Sequence, residues 1–150
     1  MIQRVQTLYL LCATAFVAGC FFFSVAELTG AAGHMEPYTL LGLSTSAASK
    51  WLSNIISFLS GIVVGTNFTN IFSYKKRKWQ MKICLMNIAL LVIIEALIFF
   101  LMGQFKQELG VTVAYKLPIA FPLISAVLIY LAFRGIKKDD KLVRSYDRIR

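Results

Sequence analysis

Residues 83–103 read ICLMNIALLVIIEALIFFLMG, 21 residues interrupted by a single charge, Glu95. A hydrocarbon core roughly 30 Å thick takes about 20 helical residues at about 1.5 Å each. This stretch has that length. Three others match it: 5–26 and 51–73, both without a charge, and 117–136, with Arg134 near its end. Lipid offers no partners for open backbone groups, and four short segments cannot close a barrel, so all four are expected as helices. The expected fold is an all-α integral membrane four-helix bundle forming one domain over 1–150, which includes a tail, 137–150.

Composition supports this reading. Apolar residues make up 58% of the 150 and charged residues 15%, against about 45–50% and about 25% in ordinary soluble domains. A mean hydropathy of +0.70 agrees. These values exclude a disordered chain, a nucleic-acid-binding arm and a small soluble enzyme. A soluble core built from four helices apolar on nearly every face would lack the polar surface to cover them.

The 16 basic residues sort by loop. Arg4, the run Lys75, Lys76, Arg77, Lys78 and Lys82, and the ending from Arg134 to Arg150 fall on one side. Only Lys50, Lys106 and Lys116 fall on the other. Cytoplasmic loops carry the Lys/Arg excess, so both termini are expected in the cytoplasm. The excess also attracts anionic headgroups, by about 1 kcal/mol per basic residue near the surface. Tyr38, Trp51 and Tyr115 fall near the outer boundary, and Tyr74 and Trp79 flank the inner loop, as interfacial aromatic residues do.

The start of the chain imitates a bacterial lipoprotein signal, with Arg4 before an apolar run and Val17-Ala18-Gly19-Cys20 as the lipid-attachment box. The apolar run continues through Phe21, Phe22 and Phe23, and three more spans follow, so 5–26 is read as a retained span. Cys12, Cys20 and Cys84 all lie inside spans. Their odd number and placement point to small packing residues rather than a disulfide framework.

The second span carries Ser53, Ser57, Gly61 and Gly65 at intervals of four, on one helix face. Small residues there let another backbone approach, within this chain, from a second copy or from another protein. Ala15 and Gly19 repeat the pattern in the first span. Asn54 and Asn70 lie near the ends of the second span and can reach water, while Asn67 lies deeper and needs a partner. Pro118 suits a first helical turn, and a bend is expected near Pro122, with Ser125 meeting the carbonyl it frees.

Glu95 sits close to mid-membrane. Ionised carboxylates are costly there, so the neutral acid is expected, facing a partner or a cavity. Counting depth from the outer ends points to Ser57, Ser60 and Ser125 as its hydrogen-bond partners. Two roles compete: a structural bond inside the bundle, or a site for a proton or a cationic substrate. The outer loop 27–50 reads as a polar loop, with Ser44 or Ser46 as a cap for the next helix and with His34 and Glu36 as ordinary loop residues. Leu142, Tyr146 and Ile149 share one face of the tail, which is expected as a short surface helix.

MIQRVQTLYLL at the start, KKRKWQMKICLMN at 75–87 and LAFRGIKKDDKLVRSYDRIR at 131–150 together resemble a Bacteroidetes domain-of-unknown-function family of small four-pass membrane proteins. The resemblance implies a bacterial inner-membrane location and no known activity. It places Gln3, Arg4, Arg77, Gln80, Asn87, Arg134, Lys138 and Arg144 as candidate functional positions. These cluster on the side with the basic excess, which suggests a cytoplasmic docking surface built from Arg4, Arg77, Gln80, Arg134, Lys138 and Arg144. No nucleophile–base pair, metal cluster or phosphate loop is legible, so neither an enzyme nor a cofactor is expected, nor a nucleic-acid partner. The expected role is a structural or accessory subunit of a membrane complex, bound to a protein partner or to copies of itself. The alternative is a small oligomeric transporter using Glu95.

Overall fold

A heptad-like seam of buried residues runs down every helix and explains how they assemble. It passes through Leu10, Ala13, Val17 and Cys20 in the first helix, and Ile56, Ser60, Val63, Asn67 and Asn70 in the second. It continues through Gln80, Cys84, Asn87, Leu91, Ile94, Ile98 and Leu101 in the third, and Ser125, Ile129, Ala132 and Ile136 in the fourth. Steps of three and four residues put each set on one stripe, the pattern of helices packed a few degrees from antiparallel. The computed structural model describes residues 3–30, 35–41, 50–73 and 76–147. Its helices are α1 (Gln3–Phe22), α2 (Lys50–Phe72), α3 (Arg77–Leu109) and α4 (Phe121–Asp147). Each packs against its neighbours in the chain, and α1 packs against α4, closing an up-and-down ring.

All four helices are long and apolar enough to cross a membrane. Only 28–33% of the residues in each span are buried inside the bundle. The outward faces carry Phe58, Phe68, Phe72, Val92, Phe99, Phe100 and Val127, all largely exposed. Such faces fit a lipid solvent.

Two expectations are corrected and one is extended. The span expected over 83–103 lies within α3, which is 33 residues long, about 50 Å at about 1.5 Å per residue. The tail to Asp147 is no separate surface helix, because α4 continues into it without a break. Leu142 in it is exposed, while Ile149 lies outside the described residues and nothing is read from the Tyr146 side chain. Pro122 produces no mid-helix bend. A 3-10 turn at Leu117–Ala120 carries Pro118, Pro122 falls in the first turn of α4, and Ser125 donates to Ala13 O at 3.1 Å instead. Prolines in a first turn remove N–H groups that have no helical acceptor.

The fold is not purely helical. Strands β1 (Ala26–Thr29), β2 (Met35–Tyr38) and β3 (Thr112–Tyr115) form an antiparallel sheet in the order β2-β1-β3. Ala26 pairs with both Tyr38 and Tyr115, and Thr29 with both Met35 and Thr112. Pro37 is tolerated because β2 is an edge strand. An ion pair between Glu27 and Lys116 lies on the half-exposed side. The predicted caps Ser44 and Ser46, and His34, lie outside the described residues.

The sheet stoppers the end of the bundle opposite the termini. Leu40 N donates to Cys20 O at 3.1 Å, closing the end of α1, and Val25 N donates to Tyr38 O at 2.7 Å. Tyr38 is not an interfacial residue. Its ring is fully buried, edge-on to Phe105 at 6.1 Å, with its hydroxyl 3.1 Å from Ser53 Oγ.

Burial pushes the Tyr38 phenol above its ordinary 10.0, against the opposing effect of the Ser53 bond. A raised value in the folded state means that the stability tied to the protonated phenol is complete below the unfolded value, about 10. It is lost as pH climbs from there through the folded value. Tyr38→Phe should abolish that alkaline loss while costing about 1 kcal/mol at neutral pH for the hydroxyl bond. Unfolding in mild detergent at neutral and strongly alkaline pH measures both.

Candidate functional site

Polar residues replace apolar ones in the seam as it nears the end that carries the termini. The outermost layer joins three helices. Gly135 lacks a side chain where a Cβ would stand 2.9 Å from Gln6 Cγ, so Gln6 lies flat against α4. One turn on, Gln6 Nε2 donates to Asp139 Oδ2 at 2.6 Å. From α3, Arg77 Nη1 donates to the Asp139 carbonyl at 3.2 Å. Gln6, Thr7, Arg77, Gln80 and Asp139 line a cavity of about 20 Å³, the space of roughly one water molecule.

Below it, α2 and α3 are joined by a ladder of amides. Gln80 Nε2 donates to Asn70 O at 3.2 Å, and Asn70 Nδ2 donates to Cys84 Sγ at 3.3 Å. One turn deeper, Asn87 Nδ2 donates to Asn67 Oδ1 at 2.9 Å, and Thr66 Oγ1 donates to Asn87 Oδ1 at 2.8 Å. Asn67, Asn70 and Asn87 are all fully buried. Asn70 therefore does not reach water, although Asn54 on the outward face is exposed. The ladder leaves Asn67 Nδ2 and Asn70 Oδ1 without hydrogen-bond partners in the protein.

Glu95 is 7% exposed, and its Oε2 also has no partner. The serines expected to hold it bond elsewhere. Ser57 Oγ shares its single proton between Leu40 O and Ser53 O, while Ser60 Oγ donates to Ile56 O and Ser125 Oγ to Ala13 O. Cys20 of α1 lies within electrostatic reach of Glu95. Around them the seam is filled by Val17, Ile56, Leu91, Ile94 and Ile98.

The small-residue ridge of α2 splits along its length. Ser53 is buried and Ser57 half-buried, facing the sheet end. Gly61 and Gly65 point outward, and a Cβ on either meets nothing within 4 Å. They do not pack the bundle. Gly19 of α1 does, because Phe121 sits 3.4 Å from the position its Cβ would take.

The docking surface divides as well. Arg134 and Lys138 are exposed. Arg77 and buried Gln80 are engaged in joining helices, and nothing is read from the side chains of Arg4, Gln3 and Arg144. Gln6, Thr66, Cys84 and Asp139 went unnoticed as site residues. The signal was present as polar residues recurring on the seam's own spacing. Among the described residues, no group of three or more His, Cys, Asp or Glu side chains is arranged to hold a metal.

Asn67→Leu should strand Asn87 and destabilise the bundle, and Asn67→Leu with Asn87→Leu should recover much of the loss. Hydrogen bonds between membrane helices average about 0.6 and reach about 1.7 kcal/mol. A double-mutant cycle on unfolding in detergent should return a coupling in that range.

No curated protein and no solved structure matches the chain. A family model described as a domain of unknown function (DUF4293) matches residues 2–149, almost the whole bundle, and the chain belongs to that family.

Proposed function

We propose that the chain is a structural or accessory subunit of a protein complex in the bacterial inner membrane, with both termini in the cytoplasm. One observation carries the reading: Gly61 and Gly65 stand one turn apart on an outward face of α2 with open space above them. Exposed Phe58, Phe68 and Phe72 flank them. Between membrane helices the hydrophobic effect supplies little attraction, so association depends on close packing, and paired small residues permit it. Neither glycine packs against another part of the bundle, so this packing surface is left unused on the outside.

Orientation rests on charge. Arg77, Lys78, Lys82, Arg134, Lys137, Lys138 and Lys141 stand at the end with the termini, and Lys50, Lys106 and Lys116 at the sheet end. That asymmetry favours the terminal end facing the cytoplasm and its anionic headgroups. Exposed Arg134 and Lys138 extend the partner surface there. The role involves no catalytic step, cofactor or nucleic acid.

A second reading, a small oligomeric transporter, draws on the unpartnered Glu95 Oε2. The mass of the complex in mild detergent, with identification of every co-purifying protein, separates the two. An accessory subunit brings one reproducible foreign protein, while a pure homo-oligomer supports transport. Gly61→Leu with Gly65→Leu should reduce the assembly to the free chain and leave its unfolding temperature unchanged. An undiminished assembly overturns the reading.

A further inference from the structure

We propose that Glu95 is a proton-binding site supplied from the terminal end of the bundle through the polar ladder between α2 and α3, and sealed from the sheet end. The proposal goes beyond both readings above, and stands or falls without either. It starts from three buried polar atoms without partners in the protein: Asn70 Oδ1, Asn67 Nδ2 and Glu95 Oε2. Buried polar atoms in proteins are met by a protein group or by water. The first two lie on successive rungs of the ladder and the third lies beyond its inner end.

The antiparallel register sets their order. Asn70 meets Cys84 and Asn67 meets Asn87. Continued inward, the same register sets Val63 opposite Leu91, and Ser60 opposite Ile94 beside Glu95. The polar rungs open outward through Gln80, which bonds to Asn70 O and also lines the cavity with Gln6, Arg77 and Asp139. A single apolar rung, Val63 with Leu91, separates the Asn67–Asn87 pair from the level of Glu95. These levels are about 11–12 Å apart along the axis, so the apolar rung must open for a proton to cross.

The opposite direction is closed. Ile98, Leu101, Met102 and Phe105 of α3, with Tyr38 and Leu40 from the hairpin, are 0–4% exposed. The Leu40 bonds to Cys20 and Ser57 fasten that stopper to α1 and α2.

Uptake breaks an O–H bond of a hydronium ion at the terminal end and forms one at Glu95 Oε2, leaving water; release reverses the step, so no other reactant is needed. Among the described residues, no cation pairs with Glu95 from the helices around it. Cys20 of α1 lies within electrostatic reach of it, and α2 has no titratable side chain between Lys50 and Phe72. On α4, Tyr130 points outward, and the charges begin with Arg134 toward the terminal end. In a low-dielectric interior without a counter-charge, a carboxyl group holds its proton.

Infrared spectroscopy of the full chain in detergent micelles tests this. A carboxylic-acid C=O band absent from Glu95→Gln reports the protonated group, and its shift on transfer to heavy water reports access. The band should be present at neutral pH. Its exchange should slow at least tenfold in Asn67→Leu with Asn87→Leu, and quicken severalfold in Leu91→Ala, which opens the apolar rung. Leu40→Ala at the stopper should leave it unchanged. If the double leucine variant does not fold, Leu91→Ala decides. Absence of the band, exchange indifferent to Leu91→Ala, or exchange quickened by Leu40→Ala overturns the proposal.

Discussion

A hydrocarbon solvent accepts no hydrogen bonds, and most of this molecule's organisation follows from that constraint. Backbone groups are satisfied within helices, as they must be in lipid. Side chains obey the same rule. Thr14, Ser60 and Ser73 each donate to the carbonyl four residues earlier in their own helix, and Ser57 and Thr66 share their proton between such a carbonyl and an acceptor on another element. Amides are too wide for this solution, so Asn67, Asn70, Gln80 and Asn87 turn inward and bond across the α2–α3 contact, with Asn67 Nδ2 and Asn70 Oδ1 left over. Polar glue of this kind fixes which helix faces meet and their vertical register, where apolar stripes alone would slide.

The spans were legible because length and hydropathy are properties of the chain alone. Position along the helix was legible too: Glu95 lies in the middle part of α3, on the inward side. Its partners were not, because counting gives height along a helix but not rotation around it. Ser57 and Ser60 are at suitable heights, but both hydroxyls are taken by their own helix. The amide ladder carried a readable signal, since Gln80, Cys84 and Asn87 repeat at steps of four and three on the stripe that continues through Leu91, Ile94 and Ile98. The family resemblance singled out Gln80 and Asn87, and burial gives their placement a physical reason.

The sheet was illegible for a different cause. Its strands are four residues long, too short for alternation to stand out, and β1 joins chain segments more than eighty positions apart through bonds such as Thr112 Oγ1 to Thr29 O. Nothing local in Ala26–Thr29 foretells that partner. The burial of Tyr38 follows from the sheet rather than from its own neighbours, which is why an interfacial reading of that aromatic residue failed. The extra length of α3 has a related origin. It must reach Gly110, whose left-handed conformation (φ 60°) turns the chain into β3.

The central position of β1 constrains how the molecule is made. As the chain emerges from the ribosome, β1 and β2 can pair once α2 begins. The other edge of β1 stays open until α3 has crossed and delivered Thr112–Tyr115. An open strand edge recruits any available partner. The last strand therefore acts as a clasp that reports completion: only a chain with three helices threaded in the correct sense can close it. A synthesis interrupted before that point leaves β1 with a bare edge, so the finished bundle differs from an unfinished one in the pairing of a single strand.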